Sequence, residues 1–492
     1  MKPTLTPPLH TLALVATWWC ATAPASAQYA PPPPTQPFPG FANDWLRKQD
    51  PYNANWDISG ATRLRYEGKS DAGFTLGGSA TDFRGDATFD NDNIYFLNKT
   101  LARIAYTSEW WSIYVEGRNS DSTDDDRAPN AESDGLVDLH QAFFTVGNHK
   151  EFPVSLKLGR QELSYGDERL VGAFAWNNIG RVFDSAKLRW QNGWGTLEAF
   201  TGKIVLPDDN NFNTWNDYNV FSGAHFLTKR IPKNTSEFFL FARNEGVGVA
   251  TANPGSFAPF LVGAPAARDI YTLGFRIKSN PGDFGNWDYT VEAAGQWGSW
   301  KPALAAARQD HEAFAFMANV GYTFPDTFGT PRVALEYAYA SGDSNNADGK
   351  HTTFDNLYPT NHKFYGYMDL ASWQNLHDVR AIYQMKPHAR LSLALEGHLF
   401  WLADTADRFY NVAGVARGGA AATPGTGFGI NSNYSSFVGA EIDFVAGFIL
   451  NKFTNLEAGY GHFFRGDYLK QTWSAIGSKD ADWFYLQTVI RF

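Results

Sequence analysis

The chain has 492 residues, 41 Lys plus Arg against 51 Asp plus Glu (net −10), and 16% aromatic residues. Its mean hydropathy of −0.35 and its lack of an apolar run of about 18 residues exclude a helical membrane protein. The acidic balance fits long solvated loops and offers no basic footprint for nucleic acid.

The N-terminus reads as a secretory signal over residues 1–27. Lys2 supplies a positive start, Leu12 to Trp19 a short apolar core, and Ala25-Ser26-Ala27 a small-x-small cleavage site. The mature chain is then expected to begin near Gln28. The only cysteine, Cys20, lies inside this segment, behind bulky Thr17-Trp18-Trp19, which do not resemble a lipoprotein site. No disulfide is expected. Residues 28–55 read as a Pro-rich periplasmic leader, with Pro31-Pro32-Pro33-Pro34 as an extended tether rather than a partner-binding motif.

From Trp56 to Phe492 no linker divides the chain, and a strand rhythm runs throughout. In the first strand Ile58, Gly60, Thr62, Leu64 and Tyr66 share one face, and Asp57, Ser59, Arg63, Arg65 and Glu67 the other. Long polar segments recur near 68–93, 121–135, 164–181, 204–219, 245–269, 298–311, 341–373, 403–434 and 465–480. Short turns recur near 108–110, 147–153, 191–195, 229–235, 280–286, 325–331, 386–389 and 448–455. A soluble sandwich has no reason to sort its loops by length. A transmembrane antiparallel β-barrel does, with long extracellular loops and short periplasmic turns. The count is about 18 strands, with the N-terminus on the short-turn side.

Later strands repeat the dyad. Tyr271, Leu273, Phe275 and Ile277 oppose Arg276 and Lys278; Val333, Leu335, Tyr337 and Tyr339 oppose Glu336. Leu391, Leu393, Leu395 and Leu399 oppose Glu396 and His398; Val438, Ala440, Ile442 and Phe444 oppose Glu441 and Asp443. A Lys or Arg facing lipid at mid-membrane costs about 2–4 kcal/mol, so the charged faces are assigned to the lumen. The last strand, Ala481 to Phe492, ends on an aromatic in the manner of bacterial outer-membrane proteins. Two segments resist this pattern. Arg160 and Glu162 share the parity of Leu156 and Leu158, which a bulge or an exit from the membrane band would explain, and residues 137–146 fit neither phase.

The segment Gly159-Arg160-Gln161-Glu162-Leu163-Ser164-Tyr165-Gly166-Asp167-Glu168-Arg169-Leu170-Val171-Gly172, followed by Trp176-Asn177, Gly180-Arg181 and Phe183-Asp184, resembles the alginate-export family of bacterial outer-membrane porins. A second block, Ser341-Gly342-Asp343, Thr353-Phe354-Asp355-Asn356-Leu357-Tyr358-Pro359, His362 and Gly366-Tyr367-Met368-Asp369-Leu370, is similar to that family's long loop. The resemblance implies an 18-stranded barrel that passes an anionic polysaccharide through an arginine-lined pore.

A polyuronate carries one carboxylate per sugar, so a path for it needs cations in series. Arginine suits this because its planar fork pairs carboxylates bidentately. Parity assigns Arg63, Arg65, Arg103, Arg118, Lys157, Lys187, Arg189, Arg276, Lys278, Arg380 and Arg465 to the lumen, and the central block adds Arg160, Arg169 and Arg181. The same parity brings in Glu67, Glu116, Glu292, Glu336, Glu396, Glu441, Asp443 and Glu457, so structural ion pairing competes with solute contact for each cation. Asp121, Asp124, Asp125 and Asp126 form an acidic loop, read as solvated rather than as a cation site. His351 and His362 are too isolated for a metal centre.

The expected function is an outer-membrane porin for export of an anionic polysaccharide such as alginate, by passive diffusion. The alternative is an uptake porin for acidic oligosaccharides or small solutes, and a purely structural barrel is a third reading. No Gly-x-Ser-x-Gly elbow is present, and no enzyme activity is expected. No cofactor is expected. The expected partners are outer-membrane lipid and lipopolysaccharide, with periplasmic export machinery as a further one, and the expected state is a monomer.

Overall fold

The computed structural model describes residues 40–49, 54–75, 78–86, 89–127, 132–148, 151–208, 211–246, 266–418 and 423–492. The signal segment, Cys20 and the Pro31–Pro34 run lie outside the described residues. No helix among the described residues is long and apolar enough to cross a membrane; the crossing is made by strands.

The strands are β1 (Trp56–Ser70), β2 (Asn93–Thr107), β3 (Trp111–Thr123), β4 (Asp134–Val146), β5 (Val154–Gln161) and β6 (Phe183–Asn192). They continue with β7 (Gly195–Leu206), β8 (Asn219–Thr228), β9 (Asn234–Glu245), β10 (Ala267–Ser279), β11 (Trp287–Lys301) and β12 (Gln309–Thr323). The ring is completed by β13 (Arg332–Ala340), β14 (Leu376–His388), β15 (Leu391–Leu402), β16 (Phe437–Asn451), β17 (Thr454–Arg465) and β18 (Ala481–Arg491). Two-residue pieces, Thr214–Trp215 and Lys350–His351, lie in the long loops. Helix α1 (Phe41–Gln49) falls within the expected leader, and α2 (Asp467–Thr472) lies in the last long loop.

Each strand pairs antiparallel with its chain neighbour, and β1 pairs with both β2 and β18, so the sheet closes as an 18-stranded barrel. The seam is finished by reciprocal bonds: Gly60 N–H donates to the Phe492 carbonyl (2.8 Å), and Phe492 N–H to the Gly60 carbonyl (2.9 Å). A Cβ at Gly60 would strike the Phe492 ring, so the glycine is the seat for that ring. Closure leaves no unpaired strand edge in hydrocarbon.

Long connections fall on one side and short ones on the other, as the sequence led us to expect. Outward residues are apolar and exposed, among them Ile58, Leu273, Leu335, Leu395 and Leu486, whereas Arg65, Glu67, Glu336, Glu396 and Glu441 are buried inside.

Both irregular segments have a physical cause. The β3–β4 register slips between Glu116/Gly117 and again between Arg118/Ser120. Two successive residues, His140 and Gln141, therefore serve the lumen side, where they bond Glu162 (3.2 Å) and Glu116 (3.3 Å). In β5, Arg160 keeps the outward parity of exposed Leu158 but lies near the strand's end. It is buried beneath the 207–218 loop and bidentate to Asp184 at 2.9 and 3.0 Å. Arg160 therefore belongs to the outer rim of the wall, not to the set of cations on the lumen face.

Leu273, 58% exposed on β10, tests the lipid-facing assignment. Leu273→Arg should destabilise the barrel by about 2–4 kcal/mol in urea titrations in lipid vesicles. A change below about 0.5 kcal/mol would contradict that assignment.

Candidate functional site: the filled lumen and its extracellular cavity

Two of the long loops fold into the barrel. The 162–182 loop buries Leu163, Leu170, Val171 and Ile179; the 341–375 loop buries Phe354, Tyr358, Tyr365 and Trp373. They bond each other. Tyr358 N–H donates to the Leu170 carbonyl (2.9 Å), Gly172 N–H to the Tyr358 carbonyl (2.8 Å), and Thr360 N–H to the Glu168 carbonyl (2.9 Å). The two sequence blocks that carry the family resemblance thus form one short parallel ladder inside the lumen. A Cβ at Gly172 would meet the Thr360 hydroxyl, so glycine permits this approach.

The wall facing this insert has two textures. On β6 to β9 it is aromatic: Phe183, Phe200, Phe221 and Phe241 are buried and pack on Tyr165 and Tyr358, with buried Phe239 stacked on Phe241. Elsewhere it is charged. Glu336 accepts from Arg169 of the inserted loop (2.7 Å), lies 3.6 Å from Arg380, and Arg380 in turn pairs with Glu396. His398 bonds Asp378 at 3.0 Å. Arg276 bridges Glu237 (2.5 Å) and the loop's Asp167 (3.1 Å). Arg65 pairs with Glu67 at 2.9 Å and lies 3.9 Å above Trp176, the ring that also stacks on His362. Asp443 and Glu441 accept the backbone N–H groups of Tyr367 (3.4 Å) and Met368 (2.9 Å).

The expected lumen cations therefore divide. Arg65, Arg103, Arg118, Arg169, Lys187, Arg189, Arg276, Arg380 and Arg465 each have a carboxylate within ion-pair distance. Arg160 is paired on the other face. Among the described residues, Arg63, Lys157, Arg181 and Lys278 have none. Arg63 donates to the Ala175 carbonyl (2.9 Å) and Asn178 (3.1 Å), and Lys157 lies 3.8 Å over Phe143. Lys157 and Lys187 are direct cross-strand partners, a like-charge placement that disfavours the sheet. Lys278 is exposed.

Arg181 donates to the carbonyls of Gly172 (3.1 Å) and Pro359 (2.9 Å) and lies over Phe174 and Tyr358. Burial, with the like charge of Arg243 adding to it, pushes this guanidinium down to about 10. The surroundings hold too little negative charge for it.

Arg181 lines a cavity of about 830 Å³ at the extracellular end, shared with Arg243, Arg268, Tyr358, Trp300 and Asp407. Arg243 and Arg268 bracket Asp355 at 3.1 and 2.7 Å and Glu245 at 2.9 and 2.5 Å. Burial opposes ionisation of Asp355, but Arg268 and Arg243 outweigh it and hold the carboxyl well below the usual range. The sequence reading missed both arginines. Arg243 shares its face with Phe239 and Phe241, so parity gave no charged stripe, and Arg268 fell within a segment read as loop. The alternation Arg243-x-Glu245 was the available signal.

The histidines and the acidic loop have partners. His351 Nδ1 lies 3.1 Å from His311 Nδ1, His362 bonds Asp369 at 3.0 Å, and Asp125 pairs with Arg127 at 2.8 Å. Asp121 belongs to β3 rather than to the loop.

The 403–418 segment caps the cavity. Asp407 accepts from the Thr353 hydroxyl (2.6 Å), Asp343 N–H (3.1 Å) and the Tyr410 hydroxyl (3.0 Å). Burial outweighs these bonds and pushes its carboxyl up to about 6. A raised folded-state pKa means that the docked cap is most stable below the ordinary Asp range near 4, and loses stability as pH rises through 6. Hydrogen-exchange protection of this segment, corrected for intrinsic rates, should fall by about 2–3 kcal/mol between pH 4 and pH 7.5. Asp407→Asn should flatten the profile. A flat profile in the unsubstituted protein would contradict the assignment.

Comparison with known proteins agrees with this architecture. A family model described as alginate export matches residues 56–479. No curated protein matches the chain. Among solved structures, OccK2 (OpdF) of Pseudomonas aeruginosa, in complex with glucuronate, superposes with a TM-score of 0.54 at 12% identity, over 89% of this chain and 96% of that one. Pseudomonas aeruginosa OpdO gives 0.53 at 14% identity, over 89% and 97%. A BenF-like porin from Pseudomonas fluorescens Pf-5 gives 0.53 at 10% identity, over 89% and 99%. At such identities the likeness is one of fold.

Proposed function

We propose a function from one premise: the chain belongs to the alginate-export family, and it is an outer-membrane β-barrel channel. Its passenger is an anionic polysaccharide, alginate or a chemical relative, which diffuses passively past lumen cations toward the cell exterior. The signal segment is removed near Ala27, the leader remains in the periplasm beside the export machinery, and the barrel works as a monomer.

The observation that carries this reading is Arg181. It is half-buried, lines the extracellular cavity, and has carbonyls but no carboxylate as partners among the described residues. A sugar carboxylate would supply the missing charge. Hydrogen bonds to charged groups contribute about 1.5–3 kcal/mol. Arg63, Lys157 and Lys278 supply further carboxylate-free cations, so a polyanion meets successive weak sites rather than one trap.

One observation favours uptake of smaller acids instead. The inserted loops reduce the lumen, and the cavity of about 830 Å³ suits a short saccharide. OccK2, of the same fold, was solved with glucuronate.

Current through single channels in planar bilayers separates these readings. Polyuronate should block it, and a neutral glucan of equal length should not. Arg181→Met should weaken the block about tenfold or more. Block by uronate disaccharide alone favours the uptake reading; equal block by neutral glucan contradicts both.

A further inference from the structure

Helix α1 lies at the periplasmic rim, where the chain enters the barrel. A nine-residue helix is marginal in water without tertiary support, and its polar face is pinned. Asn43, buried, donates to Asp57 (2.8 Å) and accepts from the Ile58 N–H (2.9 Å). Arg47 donates to the Trp56 carbonyl (2.9 Å), and Asp44 pairs with Lys452 of the β16–β17 turn.

The opposite face is apolar and open. Phe41 and Trp45 are one turn apart, hence on one side of the helix, and are 52% and 62% exposed. The direction of that side is fixed by Phe41. Its ring lies 6.0 Å from Phe453 and 6.1 Å from Phe492, and the Phe492 ring covers Gly60 on the outward face of β1. The Phe41–Trp45 side therefore looks where the lipid is, not into the lumen. It continues an aromatic belt at the same level: Trp56 on Tyr106 (5.0 Å), Tyr106 on Trp111 (5.3 Å) and Trp111 on Phe144 (6.1 Å). Lys48, exposed, flanks it, and Lys452 beside it is the partner of Asp44.

We propose that α1 is an interfacial anchor, with Phe41 and Trp45 seated at the headgroup–acyl boundary of the periplasmic leaflet. Aromatic rings favour that depth, and a flanking cation meets lipid phosphates there. The anchor lies across the β1–β18 seam and holds the leader against the membrane, away from the lumen mouth.

The only cysteine, Cys20, lies in the signal segment, so the chain from Gln28 onward accepts a single reporter. Trp45→Cys, labelled with an environment-sensitive fluorophore, is folded into phosphatidylethanolamine–phosphatidylglycerol vesicles with plain or brominated acyl chains. Leu486→Cys on the lipid face and Trp215→Cys in an extracellular loop are the references. Brominated lipid should quench the Trp45 position at least half as strongly as Leu486, and aqueous iodide at least threefold less than Trp215. Phe41→Cys should behave likewise and serves if the first label perturbs folding. Iodide quenching equal to Trp215 with no effect of brominated lipid would overturn the proposal. So would shielding in native outer membranes that is absent in the lipid vesicles, which would give the face to a protein partner.

Discussion

A backbone N–H or C=O in hydrocarbon has no water to bond, and each one left unpaired costs several kcal/mol, so the first strand has to find the last. Here β1 meets β18 across ten paired residues, from Ala61–Arg491 to Ser70–Asp482, and the terminal Phe492 exchanges two bonds with Gly60. Once the ring closes, the two-residue period of every strand is fixed against two different solvents. Leu, Ile and Phe take the outside, and the charges have one place left to go.

Charges sent inward then impose their own demand. Removing one partner of a buried ion pair costs about 3–5 kcal/mol, so a lumen lined with arginine needs acids or carbonyls within reach. The inserted loops meet part of that demand: Arg169 reaches Glu336, Asp167 reaches Arg276, and the backbone of Tyr367 and Met368 reaches Asp443 and Glu441. The same contacts that satisfy the wall hold the loops in place, so filling the lumen and neutralising it are one event. On the proposed function, what is left for a solute is the small set of cations that bond only carbonyls, amides or rings. Arg181 is the clearest, because it also borders open volume.

Much of the barrel was legible in the sequence because it depends on local period and loop length. Strand number, the side of the termini and the faces of Leu273, Arg276, Leu395 and Glu396 follow from those alone. The failures lie where one residue breaks the period. Gly159, at φ +123°, immediately precedes Arg160 at the strand's end, and the slip at His140 shifts β4. The ladder between Leu170–Gly172 and Tyr358–Thr360 joins segments nearly 190 residues apart, and no local pattern announces such a pairing. Arg243 was hidden by its own neighbours, since an inward aromatic face resembles a lipid-facing one. The expected leader gave no hint of α1, whose polar face is read only against Asp57, Trp56 and Ile58.

The central claim is that most of the lumen's acids are held by its arginines, its histidines and the backbone of the inserted loops, while Arg63, Lys157, Arg181 and Lys278 are the cations proposed for the solute, so that the proposed path is electropositive although the chain is acidic. The reversal potential of the refolded channel under an about tenfold KCl gradient tests this directly. The account predicts anion selectivity. Cation selectivity would mean that the acids, not the cations, face the path, and would contradict it.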